Sequence, residues 1–131
     1  MEQKLLEAVQ GAVVEGEIAC ADAHAIAHQL GVMPLKLGQQ VTAETKVRFN
    51  RCQLGLFGYG AKAEGKSKIV LKATNIPEDI VAELRAATVA GRIPCATAWA
   101  IADQHKYPRL GLANIIETLG MRVSPCQLGC F

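Results

Sequence analysis

Residues 5–27 of this chain recur, in order, at 80–102. At this spacing of 75, Ala12, Val14, Gly16, Ile18, Cys20, Ala21, Ala23, Ala25, Ile26 and Ala27 fall on Ala87, Val89, Gly91, Ile93, Cys95, Ala96, Ala98, Ala100, Ile101 and Ala102. Removing one residue near Gly31 changes the spacing to 74. Pro34, Arg48, Cys52, Gln53, Leu54, Gly55 and Phe57 then fall on Pro108, Arg122, Cys126, Gln127, Leu128, Gly129 and Phe131. A Cys-Gln-Leu-Gly run at matched places is not a chance event. Such a chain is expected to fold as two copies of one small unit, packed as a pair. The organisation read from this is a first repeat at 1–57, a basic glycine-rich hairpin or linker at 58–75, and a second repeat at 76–131.

Composition decides what fills the core. Half of the 131 residues are hydrophobic and a fifth are charged, which suits a packed domain rather than a disordered chain. There are one Trp, two Tyr and three Phe. The core is therefore expected from Ala, Val, Ile and Leu, on closely packed helices. The net charge of +2 permits nucleic-acid binding without demanding it. No run approaches the roughly 18 apolar residues of a membrane span, and Glu2, Lys4 and Glu7 interrupt the first ten residues. A cytoplasmic protein with no membrane partner is expected. Its five cysteines, an odd number, then read as reduced thiols rather than a disulfide frame.

Each copy reads alike. Leu5, Val9 and Ala12 share one helical face over 5–15, with Gly16 as the stop; Ile80, Leu84 and Ala87 do the same over 80–90, with Gly91. Asn75 is a candidate cap, and Glu78 and Asp79 favour a helix start. A short extended piece follows at 17–19 or 92–94, then a helix at 21–30 or 96–105. A third helix is expected from Pro34 or Pro108, since proline suits a first helical position. Its preceding turn is one residue shorter in the second copy, with Lys106 in place of the turn glycine. A strand at 47–51 or 121–124 then leads into Cys-Gln-Leu-Gly. In the first copy, glycines and lysines lead on to 68–73, which reads as a second strand closing a hairpin. The second copy lacks it.

This order, and the run Ala21-Asp-Ala-His-Ala-Ile-Ala-His-Gln-Leu-Gly-Val-Met-Pro-Leu-Lys-Leu-Gly, resembles the winged helix-turn-helix superfamily of DNA-binding domains. The expected fold is mainly α with small β-hairpins, as two tandem winged-helix/helix-turn-helix-like repeats. The resemblance implies a DNA-binding transcriptional regulator, not an enzyme, with duplex DNA as partner. It would place the helix from Pro34 in a major groove, with Lys36, Gln39, Gln40 and Thr42 facing bases. Arg109 and Asn114 would do so in the second copy. Lys62, Lys66 and Lys68 in the hairpin would meet phosphates. Two other readings stand beside this one: a protein-interaction or accessory module on the same fold, and a cysteine-ligated metal or iron–sulfur protein. A homodimer is compatible with each.

The cysteines supply the remaining chemistry. Cys20 and Cys52 leave strands expected to pair, and Cys95 and Cys126 match them, so two pairs can meet at one point. Four thiolates there suit zinc or an iron–sulfur cluster, but the spacing contains no Cys-x-x-Cys, and no resident cofactor is expected. Cys126 and Cys130 lie four apart. Cys20 and Cys95 open alanine-rich helices, where a thiol gains acidity, so these two are the expected redox-sensitive groups. Small buried packing residues are the competing role for all of them. His24 and His28 have ligand spacing, but Trp99 and Asp103 replace them in the second copy. No nucleophile, base or carboxylate pair is placed for catalysis.

Overall fold

The computed structural model describes residues 3–59 and 68–130. The order is α1 (Gln3–Ala12), β1 (Glu17–Ala19), α2 (Cys20–Leu30), α3 (Pro34–Glu44), β2 (Arg48–Asn50), α4 (Glu78–Ala87), β3 (Arg92–Ile93), α5 (Cys95–Gln104), α6 (Arg109–Thr118) and β4 (Arg122–Val123). The chain is thus mainly helical, and the same element order occurs twice. β1 pairs in parallel with β2, and β3 with β4. No helix among the described residues is long and apolar enough to cross a membrane.

Local chemistry sets the boundaries. α1 and α4 end at Ala12 and Ala87, three residues short of the expected helix ends at 15 and 90. Val14 and Glu17 exchange both backbone hydrogen bonds, at 2.8 and 3.0 Å, across a two-residue turn. Glu15 and Gly16 both take positive φ there, as a type I′ turn requires, and Ala90 and Gly91 repeat it. Gly16 and Gly91 therefore serve a hairpin turn rather than a helix cap. At the start of α4 the capping position is Pro77, not Asn75, and Glu78 and Asp79 place negative charge at the positive end of the helix dipole.

The third helices correct the repeat alignment. Val32 N–H donates to Ala27 O and Tyr107 N–H to Ala102 O, both at 2.8 Å. Gly31 (φ 67°) and Lys106 (φ 53°) occupy the same left-handed turn position. The two turns are therefore equally long, and Lys106 adopts the strained conformation itself. Buried Leu37, Gly38 and Val41 correspond to buried Leu112, Ala113 and Ile116, still 75 apart. The missing residue lies beyond the third helix, which has 11 residues in the first half and 10 in the second. Pro34 opens α3, whereas Pro108 precedes α6.

The hairpin expected from 47–51 and 68–73 is also corrected. Residues 68–73 form no strand. They run along α6 instead. Leu71 N–H donates to Asn114 Oδ1 at 2.9 Å, and Ala73 N–H to Thr118 Oγ1 at 2.7 Å. Polar side chains on α6 satisfy this backbone, so it needs no neighbouring strand.

Two cores form, and each borrows from the other half. Leu5, Val9, Ile18, Ala23, Ile26, Ala27, Leu37 and Val41 pack with Cys126 and Leu128. Ile80, Leu84, Ile93, Ala98, Ile101, Ala102, Leu112 and Ile116 pack with Cys52 and Leu54. The Cys-Gln-Leu-Gly segments are exchanged. Each inserted leucine is fully buried and contributes about 1.5–3 kcal/mol of hydrophobic stabilisation across the junction. Gly38 makes room for one exchange, since a Cβ there would collide with Leu128 O.

Candidate cysteine centre

The exchange gathers thiols at the junction. Cys20 and Cys95 are the first residues of α2 and α5. Cys52 and Cys126 open the exchanged turns. All four are buried, while Cys130 is exposed. The four buried sulfurs are close enough that negative charge on Cys52, Cys95 or Cys126 acts on Cys20.

Each residue of Cys-Gln-Leu-Gly has a physical task here. The leucine fills the opposite core. The glycine takes positive φ, 72° at Gly55 and 79° at Gly129. The glutamine meets the cysteine that begins the second helix of its own half. Gln53 N–H donates to the Cys20 sulfur, and Gln127 Nε2 lies 3.4 Å from Cys95 Sγ.

Acidity is unevenly distributed. Burial pushes the Cys20 thiol up to about 12, and the Gln53 hydrogen bond offsets only part of that. Burial likewise raises Cys52 and Cys95. At Cys20 and Cys95, desolvation outweighs the acidifying helix terminus on which their expected sensitivity was based. Cys126 is the exception. It is held down to about 6, first by the Cys130 thiol donating to it and then by backbone N–H groups of the turn. The same hydrogen bond suppresses the acidity of Cys130. Cys126 and Cys130 therefore form a hydrogen-bonded sulfur pair.

Four sulfurs are a suitable donor set for zinc or an iron–sulfur cluster. Among the described residues, however, no group of three or more His, Cys, Asp or Glu stands as a metal-holding set. His24 of the His24–His28 pair stacks on Trp99 with ring centroids 4.3 Å apart.

The expected DNA contacts separate by half. Lys36, Gln39 and Thr42 are exposed on α3, and Gln40 is half-buried with Oε1 unpartnered. Leu37 and Val41 belong to the core, and Leu35 is exposed. On α6 the expected readers are engaged. Arg109 lies over the Trp99 ring, 3.8 Å from its centroid, and donates to both Asp103 oxygens at 3.2 and 2.9 Å. Asn114 holds Leu71. Lys68 pairs with Glu117 at 3.0 Å. Lys62 and Lys66 lie outside the described residues. Sequence reasoning missed the Cys126–Cys130 contact, although the four-residue spacing was its signal. It also passed over Arg48 and Arg122, whose signal was their recurrence at matched positions.

No protein-family model matches this chain, and neither does a curated protein or a solved structure.

Proposed function

We propose that this chain is a thiol-responsive, regulator-type module: two helix-turn-helix-like halves share one cysteine centre, and the Cys126–Cys130 pair is its reactive part. The observation that carries this reading is the contact of an acidified Cys126 with the Cys130 thiol, inside a turn exchanged between the halves. With hydrogen peroxide as oxidant, the Cys126 thiolate attacks one peroxide oxygen. The O–O bond breaks, hydroxide leaves, and Cys126 becomes a sulfenic acid. The Cys130 sulfur then attacks the Cys126 sulfur. An S–S bond forms, the S–O bond breaks, and water leaves with the Cys130 proton. The turn that closes carries Leu128, whose carbonyl rests on Gly38 of α3. The state of the dithiol thereby reaches the exposed face of α3.

The test is a thiol count on denatured protein after peroxide treatment and quenching. About two of the five thiols should be lost in the native chain, with a peptide-mapped bond between Cys126 and Cys130. Five remaining thiols, or a bond between other cysteines, would overturn the reading.

Duplex DNA is a second reading, favoured by one observation: Lys36, Gln39 and Thr42 line a single exposed face of α3. It confines DNA contact to the first half. Anisotropy of a labelled duplex, with reduced and with peroxide-treated protein, tests it. Binding that weakens with salt and differs between the two forms supports it.

A further inference from the structure

A cavity of about 810 Å³ opens between the halves. Its size lies within the roughly 300–1,000 Å³ typical of small-molecule sites. β2 and the exchanged 52–57 turn line one side, and the end of α6 and β4 line the other. Phe49, Leu56, Ile116 and Met121 give it an apolar floor. The charged groups in its wall are Arg48, Lys68, Arg122 and Glu117. Glu117 is taken by Lys68, with Nζ and Oε2 3.0 Å apart. The ion pairs of the described residues engage Lys68, His105 and Arg109, and neither Arg48 nor Arg122. Among the described residues, two guanidinium groups from matched strands therefore line one cavity outside any ion pair.

The strand register sharpens this. Arg122 stands opposite Arg92 in the parallel β3–β4 pair. Like charges opposite one another on a sheet are destabilising. Arg48 stands opposite Glu17, but the Glu17 carboxylate accepts from Asn50 Nδ2 at 2.8 Å instead. An anion would relieve the repulsion on one side and supply the missing partner on the other.

We propose that this cavity binds a small organic anion, with a carboxylate, phosphate or sulfonate head between Arg48 and Arg122 and a flat apolar body on the Phe49–Met121 floor. Guanidinium forks suit such heads because they donate two parallel hydrogen bonds. Cys130 also lines this cavity, but the anion site is argued from the two arginines and does not rest on the dithiol chemistry.

Two fluorescent dyes with nearly the same apolar body test it on the full, reduced chain. One is 8-anilinonaphthalene-1-sulfonate; the other, N-phenyl-1-naphthylamine, lacks the sulfonate. Arg48→Gln and Arg122→Gln should each weaken binding of the sulfonate dye about tenfold, as loss of a charged hydrogen-bonding partner does. They should leave the uncharged dye unaffected. Lys36→Gln, a charge change outside the cavity lining, should leave both dyes unaffected. Thermal melts confirm that all three variants fold. Equal sulfonate affinity in wild type and both arginine variants would overturn the proposal. So would parallel weakening of the two dyes, or an equal effect from Lys36→Gln.

Discussion

His24 and Trp99 hold the same position in their respective halves, and they stack on each other at the junction. The same tryptophan carries Arg109 at 3.8 Å on its ring. Burial lowers the pKa of His24 below its ordinary 6.5, and the nearby Arg109 charge lowers it further. Its Nε2 is buried without a partner. The folded chain therefore favours neutral His24, and below pH 6.5 the unfolded chain binds a proton that the folded chain resists. This contribution is complete above 6.5 and is lost as pH falls towards the folded value. Urea denaturation of wild type at pH 7.5 and 5 should show a larger acid loss than His24→Phe, which keeps the stack and removes the titration. Equal losses in the two proteins would refute the assignment.

The exchange of segments makes Gly38 one of the least replaceable residues. A methyl group there runs into Leu128 O, and the obstacle is backbone rather than a flexible side chain. Gly38→Ala should cost about 1–3 kcal/mol, in the range of overpacked cores, and should expose Cys126 to thiol reagents. Gly11, in α1, has no atom within 4 Å of its missing Cβ. Gly11→Ala should instead stabilise by about 0.5–1 kcal/mol through helix propensity. Paired thermal melts read both effects, and opposite signs are the expected result.

On the exposed face of α3, duplex binding predicts a contrast between two basic residues. Lys36 is free of ion pairs among the described residues, while Arg109 is held by Asp103 and Trp99. Lys36→Ala should reduce the slope of log affinity against log salt by about 1. Arg109→Ala should leave that slope unchanged, although it loosens the His24–Trp99 stack. An effect of Arg109 on the slope equal to that of Lys36 would mean that α6 also meets phosphate.

Matched apolar positions were enough to place the helices, because burial needs only the right face. The turn at Lys106 was hidden, since no side-chain pattern announces that a lysine will take the left-handed place of a glycine. The alignment therefore put the missing residue one helix too early. Residues 68–73 carry the apolar, β-branched run of a strand, but Asn114 and Thr118 draw them onto α6, a contact between segments more than 40 residues apart. The recurrence of Cys-Gln-Leu-Gly marked the important segment. Its exchange was not legible, because Leu54 and Leu128 are equally apolar whichever core they fill.

The acidity of Cys126 gives the most direct test of the thiol centre. Burial alone would raise it, as it does at Cys20, Cys52 and Cys95. The Cys130 thiol is the largest influence in the opposite direction. Removing that donor leaves burial opposed only by backbone N–H groups. In native protein, the pH dependence of Cys126 alkylation should have its midpoint near 6. In Cys130→Ala the midpoint should move up, and alkylation at pH 7 should slow as the thiolate fraction falls. Iodoacetamide labelling followed by peptide mass analysis reads Cys126 apart from the other thiols. A midpoint unchanged by Cys130→Ala would show that the turn's backbone, and not its neighbouring thiol, sets the charge on Cys126.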